Sequence, residues 1–364
     1  MDCFAQRRER LTKVLTAEGL DALAVSSVVN VSYLTGFSGD SSVLVLTRDR
    51  VVLVSDPRYT DLIAEECPDL PTNIRPPAQK IQEAVVEVLT RLGCRSVGFE
   101  SATVTVAELE MLQGLSPAIN WKGSSDRVEQ LRLIKDESEI AQIRQAIDIV
   151  ERAFTVLRSL LRPEDREKEL ADAMEGYVRR AGGLGSSFPP IIEVGERSAL
   201  PHAPPGDRVV ATGEMLLVDC GASGRFYKSD LTRVWATRKI STKLEEVYTV
   251  VLRAQEKAIR AVRPGAVARD VDAEARGAIA EAGFGDFFGH GLGHGIGLQV
   301  HEGPAVRPLS TTVLQPGMVC TIEPGIYIPG WGGVRIEDDV LVTADGCEVL
   351  SRLPKDLGSI RVIG

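Results

Sequence analysis

The run Phe288-Gly-His-Gly-Leu-Gly-His-Gly-Ile-Gly-Leu-Gln-Val-His-Glu302 constrains this chain more than any other stretch. Three of the four histidines, His290, His294 and His301, fall within it, and the fourth, His202, stands upstream in Leu200-Pro-His-Ala203. Glycine at this density makes a poor helix and leaves a strand with few side chains to pack. It does let a backbone pass close to a bulky or charged group. The run therefore reads as the wall of a site.

The length of 364 residues suits two domains. Residues 1–125 alternate helical and strand patterns: a helix from Gln6, a strand at Leu23–Val25, a hairpin over Ser42–Ser55, helices near Pro57–Glu66, Gln79–Leu92 and Val104–Leu115, and a strand at Ser96–Phe99. That alternation marks a small α/β domain. The polar run Lys122-Gly-Ser-Ser-Asp126 reads as a linker. From 126 to 364 the pattern is α+β. Helices are expected over Glu137–Leu161, Glu167–Arg180, Leu244–Val262 and Val267–Ala282, with antiparallel strands at Ile191–Val194, Met215–Cys220, Phe226–Val234 and Met318–Glu323. A further strand is expected at Val334–Glu337, continued by Asp339–Val342.

A net charge of -9 argues against nucleic acid or an anionic membrane as the main partner. No apolar run approaches the roughly 18 residues of a membrane span, and the N-terminus shows no signal-peptide pattern. The six cysteines form no CxxC pair, which disfavours a thiolate metal site and fits reduced thiols in a cytoplasmic protein.

Five candidate metal ligands lie at expected strand ends: Asp219, Asp230, His294, Glu323 and Glu337. Asp219 follows the apolar Met215-Leu-Leu-Val218, and Glu323 repeats the pattern after Met318-Val-Cys-Thr-Ile322. A carboxylate closing a buried run must be paired, protonated or bound to a cation. Asp230 lies across from Asp219 if Gly221–Gly224 is the hairpin turn. One imidazole with four carboxylates suits Mn²⁺, Co²⁺, Fe²⁺ or Zn²⁺, and four carboxylates can hold two such ions with a water between them. The spacing His290-x-x-x-His294 imitates a zincin helix, but Gly291 stands where the catalytic glutamate belongs. Taken singly, each residue also has a bland reading, Asp219 and Asp230 as a turn pair or Glu337-Asp-Asp339 as a solvated run.

Asp219-x₁₀-Asp230, His290-Gly-x-Gly-His294, Val300-His301-Glu302, Ile322-Glu-Pro-Gly325 and Arg335-Ile-Glu-Asp338, in this order, resemble the pita-bread metallopeptidases, above all the aminopeptidase P and prolidase branch. Residues 1–125, with Asn30–Phe37 and Asp56–Thr60, resemble the creatinase-type N-terminal domain. The resemblance implies a pita-bread catalytic domain over 126–364. It implies two divalent metal ions, Mn²⁺ foremost with Zn²⁺ or Co²⁺ as alternatives, bound by Asp219, Asp230, His294, Glu323 and Glu337, with Asp230 and Glu337 bridging. His290, His301, Glu323 and Arg335 become catalytic positions, and His202, His290 and His301 face the substrate. The implied reaction is attack by a metal-bridged hydroxide on the bond before an N-terminal Xaa-Pro proline, by a homodimer. Aminopeptidase P is the expected activity and Xaa-Pro dipeptidase the alternative, with a non-catalytic peptide-binding protein on the same fold as the reading from another class. A dipeptidase needs a group to hold a free carboxylate, for which Arg58 and Tyr59 are candidates.

Overall fold

The computed structural model describes residues 3–362. The chain divides into two compact units, Met1–Arg132 and Leu133–Gly364.

In the first unit six strands form one sheet, in the order Thr72–Ile74, Val51–Ser55, Val43–Thr47, Ala22–Val25, Ser96–Glu100 and Asn120–Ser124. Only Val43–Thr47 runs against its neighbours, because the hairpin to Val51 reverses the chain after Ala22–Val25. The helices Ile81–Arg91 and Val106–Leu115 bury Val85, Val88, Leu89 and Leu112 with Ala24, Val45, Val54 and Val97 of the sheet. Thr105 caps the second of these: its hydroxyl accepts from Glu108 N at 3.2 Å and Glu108 accepts from Thr105 N at 2.9 Å. The polar run that reads as a linker is built into the edge strand Asn120–Ser124, paired in parallel with Ser96–Glu100. Trp121 anchors it edge-on against Phe99, and backbone pairing serves residues that carry no apolar alternation. Arg58 and Tyr59 are both engaged in this unit, Arg58 with Asp56 at 2.7 Å and the Tyr59 hydroxyl with Asp40.

The second unit sets the helices Glu137–Leu160, Glu167–Arg180, Thr242–Ala261 and Ala268–Glu281 around antiparallel sheets. The strand Met215–Asp219 shows why its sequence is apolar throughout. Met215 and Leu217 point into a core with Val247, Val251, Ile279, Ile322 and Val340. Leu216 and Val218 point into a second core with Phe154, Met174, Ile192 and Trp235. Successive side chains alternate faces, and helices cover both, so all four are buried. Asp219 thus arrives at its position 7% exposed.

Two expected details differ. The residue across from Asp219 is Thr232, because Ala222–Ser223 pairs with Gly185–Ser186 and lengthens the excursion before the return strand Thr232–Ala236. The strand expected at Val334–Glu337 does not run on into Asp339–Val342. Gly332–Arg335 pairs with Gly325–Ile328, whereas Asp338–Val342 pairs with Val319–Ile322. Glu337 occupies the change of sheet, its N–H reaching Thr232 O at 3.3 Å.

The histidine run enters the five-stranded sheet through Gly293–Gly295, between Glu302–Val306 and Val319–Ile322. A Cβ on Gly293 would lie 2.0 Å from Thr321 O, and one on Gly295 would lie 1.9 Å from Gly303 O. At these two positions glycine is required by neighbouring backbone on either side.

Candidate metal centre

Asp219, Asp230, His294, Glu323 and Glu337 all line one cavity of about 590 Å³. A ligand atom from each of Asp230, His294 and Glu337 falls within 4.8 Å of the other two. His294 Nε2 stands 3.3 Å from Glu323 Oε1 and 3.7 Å from Asp230 Oδ2. The elements deliver them from different directions: Asp219 from the end of its strand, His294 from the glycine-lined strand, Glu323 just past Val319–Ile322, Glu337 from the change of sheet.

Three of the four carboxylates, those of Asp219, Glu323 and Glu337, are held by one oxygen. Arg335 Nη2 donates to Asp219 Oδ2 at 2.5 Å, and Thr232 Oγ1 donates to Glu337 Oε2 at 2.6 Å. The Arg335 Nε donates in turn to Thr232 Oγ1 at 3.1 Å, and Thr321 Oγ1 donates to Glu323 Oε1 at 3.1 Å. The remaining oxygens Asp219 Oδ1, Asp230 Oδ1 and Glu337 Oε1 are buried without any hydrogen-bond partner. Buried polar atoms are rarely left this way, and an unpaired buried carboxylate oxygen is costly. Burial, reinforced by the neighbouring carboxylates, pushes Asp230 and Glu337 well above the usual carboxylate range. Burial raises Glu323 to about 7, with Arg335 pulling the other way. Burial also lowers His294 to about 4, leaving its imidazole neutral, the form that ligates metals. Orphan oxygens, crowded acids and a neutral imidazole are the donor set that oxygen-preferring divalent cations require. These residues fit the implied ions.

The other sequence candidates gather around the same cavity. His202 and His301 are exposed on its wall, and the His301 ring meets that of His294 edge-on with centroids 4.3 Å apart. Arg335 is buried and tied to Asp219 and Thr232. His290 is engaged at both nitrogens, Nδ1 with Gly291 O at 2.7 Å and Nε2 with the Tyr327 hydroxyl at 2.9 Å. Arg335 Nη1 donates to that hydroxyl at 2.8 Å, so its one proton is left for His290 Nε2. His290 then carries its own proton on Nδ1. Burial holds it neutral, its pKa lowered to about 4.

Sequence reasoning missed Tyr327, Thr232 and Thr321, which orient the candidate ligands and His290. It also missed Arg307, which lines the cavity. Phe188, Pro189, Pro190, Ile191 and Pro201 give the cavity an apolar side opposite chemistry supplied by the acids.

Fold and site together define a class, the metallopeptidases of pita-bread architecture. The model for metallopeptidase family M24 matches residues 141–344, and that for the creatinase/prolidase N-terminal domain matches residues 7–134. The chain is 34% identical to the Xaa-Pro dipeptidase of Pyrococcus horikoshii, across 98% of this chain and 100% of that one. Its structure is similar to that of an Xaa-Pro dipeptidase from Bacillus anthracis, with a TM-score of 0.93, 37% identity and coverage of 98% and 99% of the two chains. It is also similar to that of an X-Pro aminopeptidase from Thermotoga maritima, with a TM-score of 0.91, 35% identity and coverage of 98% and 100%. The chain belongs to metallopeptidase family M24.

Proposed function

We propose that the chain is an Xaa-Pro dipeptidase, a metallo-exopeptidase that hydrolyses the amide joining an N-terminal residue to proline. The observation that carries this reading is the set of three buried carboxylates, each with an orphan oxygen, beside an apolar cleft that also holds an arginine. Asp219, Asp230, His294, Glu323 and Glu337 hold two divalent cations, Mn²⁺ foremost. Such cations, when bound, supply Lewis acidity that lowers the pKa of water and polarises the scissile carbonyl.

The chain's own groups do the rest. Glu323 takes a proton from the attacking water and returns it to the leaving nitrogen. His290, neutral and pre-oriented by the Tyr327 hydroxyl, faces the substrate from the cavity wall. His202 and His301 contact the peptide from the cavity wall. An Xaa-Pro bond has no N–H to read, and its ring fits an apolar slot such as that of Phe188, Pro189, Pro190 and Ile191. Arg307 binds the free proline carboxylate of a dipeptide.

A second reading, aminopeptidase P, is favoured by the likeness to the Thermotoga maritima enzyme. Ala-Pro and Ala-Pro-Ala, assayed with added Mn²⁺ and with EDTA, separate the two. Mn²⁺-dependent cleavage of Ala-Pro alone is expected. Preference for the tripeptide supports the aminopeptidase, and metal-independent rates for both contradict either. We further propose a cytoplasmic homodimer, checked by light scattering; a fully active monomer overturns that assembly.

A further inference from the structure

The helix Ala268–Glu281 carries an ion pair that neither metal ligation nor substrate contact explains. Arg276 Nε and Nη2 lie 2.8 and 2.9 Å from the two oxygens of Asp272, one turn earlier. Such i,i+4 pairs usually add little to a helix. This one is turned onto backbone. The same guanidinium donates from Nη1 to Phe288 O at 3.0 Å and from Nη2 to His290 O at 2.8 Å. Asp272 Oδ1 accepts from Leu292 N at 3.0 Å, and Asp272 is 1% exposed. The guanidinium carbon also stands 4.2 Å over the ring of Phe288, whose neighbour in edge contact is the His290 ring at 5.0 Å.

The segment so gripped has little order of its own. Phe288–Leu292 is neither helix nor strand, and it contains Gly289 and Gly291. Its backbone bonds elsewhere are Phe288 N to Gly285 O at 3.4 Å and Glu323 N to Leu292 O at 2.8 Å, so the three bonds from one helix turn supply most of what fixes the path around His290.

We propose that Asp272 and Arg276 are positioning residues for His290. They clamp the backbone on both sides of it, so that the imidazole meets the Tyr327 hydroxyl at the cavity. The effect on catalysis rests on the peptidase reading above; the clamp itself does not.

The test uses the full-length, Mn²⁺-loaded protein with Arg276→Met, Arg276→Lys and Asp272→Asn. Lys257→Met is the control, because it removes an ion pair with Glu274 of the same helix that lies away from the run. Amide exchange across 288–292 and the imidazole NMR signals of His290 are read first, then kinetics on Ala-Pro. Arg276→Met should speed exchange in this segment about tenfold or more while the sheet amides stay protected. It should shift the His290 signals and lower kcat by about 10- to 100-fold with KM nearly constant. Arg276→Lys should restore part of the loss, and Lys257→Met should match the parent. Parental exchange and His290 signals in Arg276→Met would overturn the clamp, as would an equal loss in Lys257→Met. If Arg276→Met fails to fold, Asp272→Asn, which keeps an acceptor for Leu292 N, gives the same readouts. A parent protein that cleaves no Xaa-Pro peptide refutes the peptidase reading, while exchange and NMR still decide the clamp.

Discussion

The Tyr327 hydroxyl lies between Arg335 Nη1 at 2.8 Å and His290 Nε2 at 2.9 Å, accepting from the first and donating to the second. Burial lifts its pKa to about 12, so the hydroxyl keeps its proton throughout the working range. Tyr327→Phe removes one atom and leaves both neighbours short of a partner. We expect kcat for Ala-Pro to fall on the order of 10²-fold with little change in KM. Stability should fall by about 1–3 kcal/mol, measured by urea unfolding.

Thr232 accepts from Arg335 Nε and donates to Glu337 Oε2, linking the candidate ligand Glu337 to the arginine that holds Asp219. Thr232→Val preserves shape and removes that link. Mn²⁺ affinity should drop by about 10- to 100-fold in a metal titration. Unchanged affinity would show that Glu337 is oriented by something else.

In metal-free protein the buried carboxylates favour the folded state in acid and lose that contribution as pH rises. Glu323 has a folded pKa raised from an ordinary 4.5 to about 7, and Asp230 and Glu337 shift the same way. For an acid with a raised folded pKa, the folded state binds the extra proton. That stability is complete below about pH 4.5 and lost on passing through pH 7. His290 and His294, lowered to about 4, act in the opposite sense below about pH 6.5, so calorimetry after EDTA treatment should give a Tm that falls between about pH 6.5 and pH 8. Cations replace the protons, so the loaded protein should show a much flatter profile.

Arg307 separates the two peptidase readings. If it binds the proline carboxylate, Arg307→Met should raise KM for Ala-Pro by about tenfold or more, the worth of one charge-assisted bond. Under the aminopeptidase reading Ala-Pro-Ala, whose carboxylate lies a residue farther away, should keep its KM. Equal effects on both peptides would exclude that role.

Arg233 is fully buried behind the metal centre, paired with Asp338 at 2.8 Å and donating to the carbonyl of Glu337 at 2.6 Å. Arg233→Met leaves the Asp338 carboxylate buried with Lys355 as its remaining cation. A loss of about 3–5 kcal/mol is expected, toward the lower end because of Lys355. Chemical denaturation of the loaded protein measures it.

The sequence revealed the residues whose signal is local. A carboxylate closing a buried run, as at Asp219 and Glu323, is legible because the strand that buries it is contiguous. The glycines of the histidine run were equally visible, but two of them answer to adjacent strand backbone, which no single stretch discloses. Tyr327, Thr232 and Arg233 act on partners 8 to 120 residues away, so spacing offered nothing to find them. The same limit explains Asn120–Ser124. Its composition reads as a linker, and only pairing with Ser96–Glu100 makes it a strand. Glu337 shows a third case: an apolar run reads as one strand although it changes partners midway.

The candidate ligands reach the centre from separate sheets. Asp219 ends a strand of the three-stranded sheet, His294 and Glu323 belong to or follow strands of the five-stranded one, and Glu337 joins the latter to a hairpin. Ions held there would act as a cross-link in a chain that shows no disulfide among the described residues. The ligands line an open cavity, so an ion can leave without the sheets parting. Its departure would instead loosen the joint between the sheets, and a metal-free molecule would come apart there more readily than a loaded one.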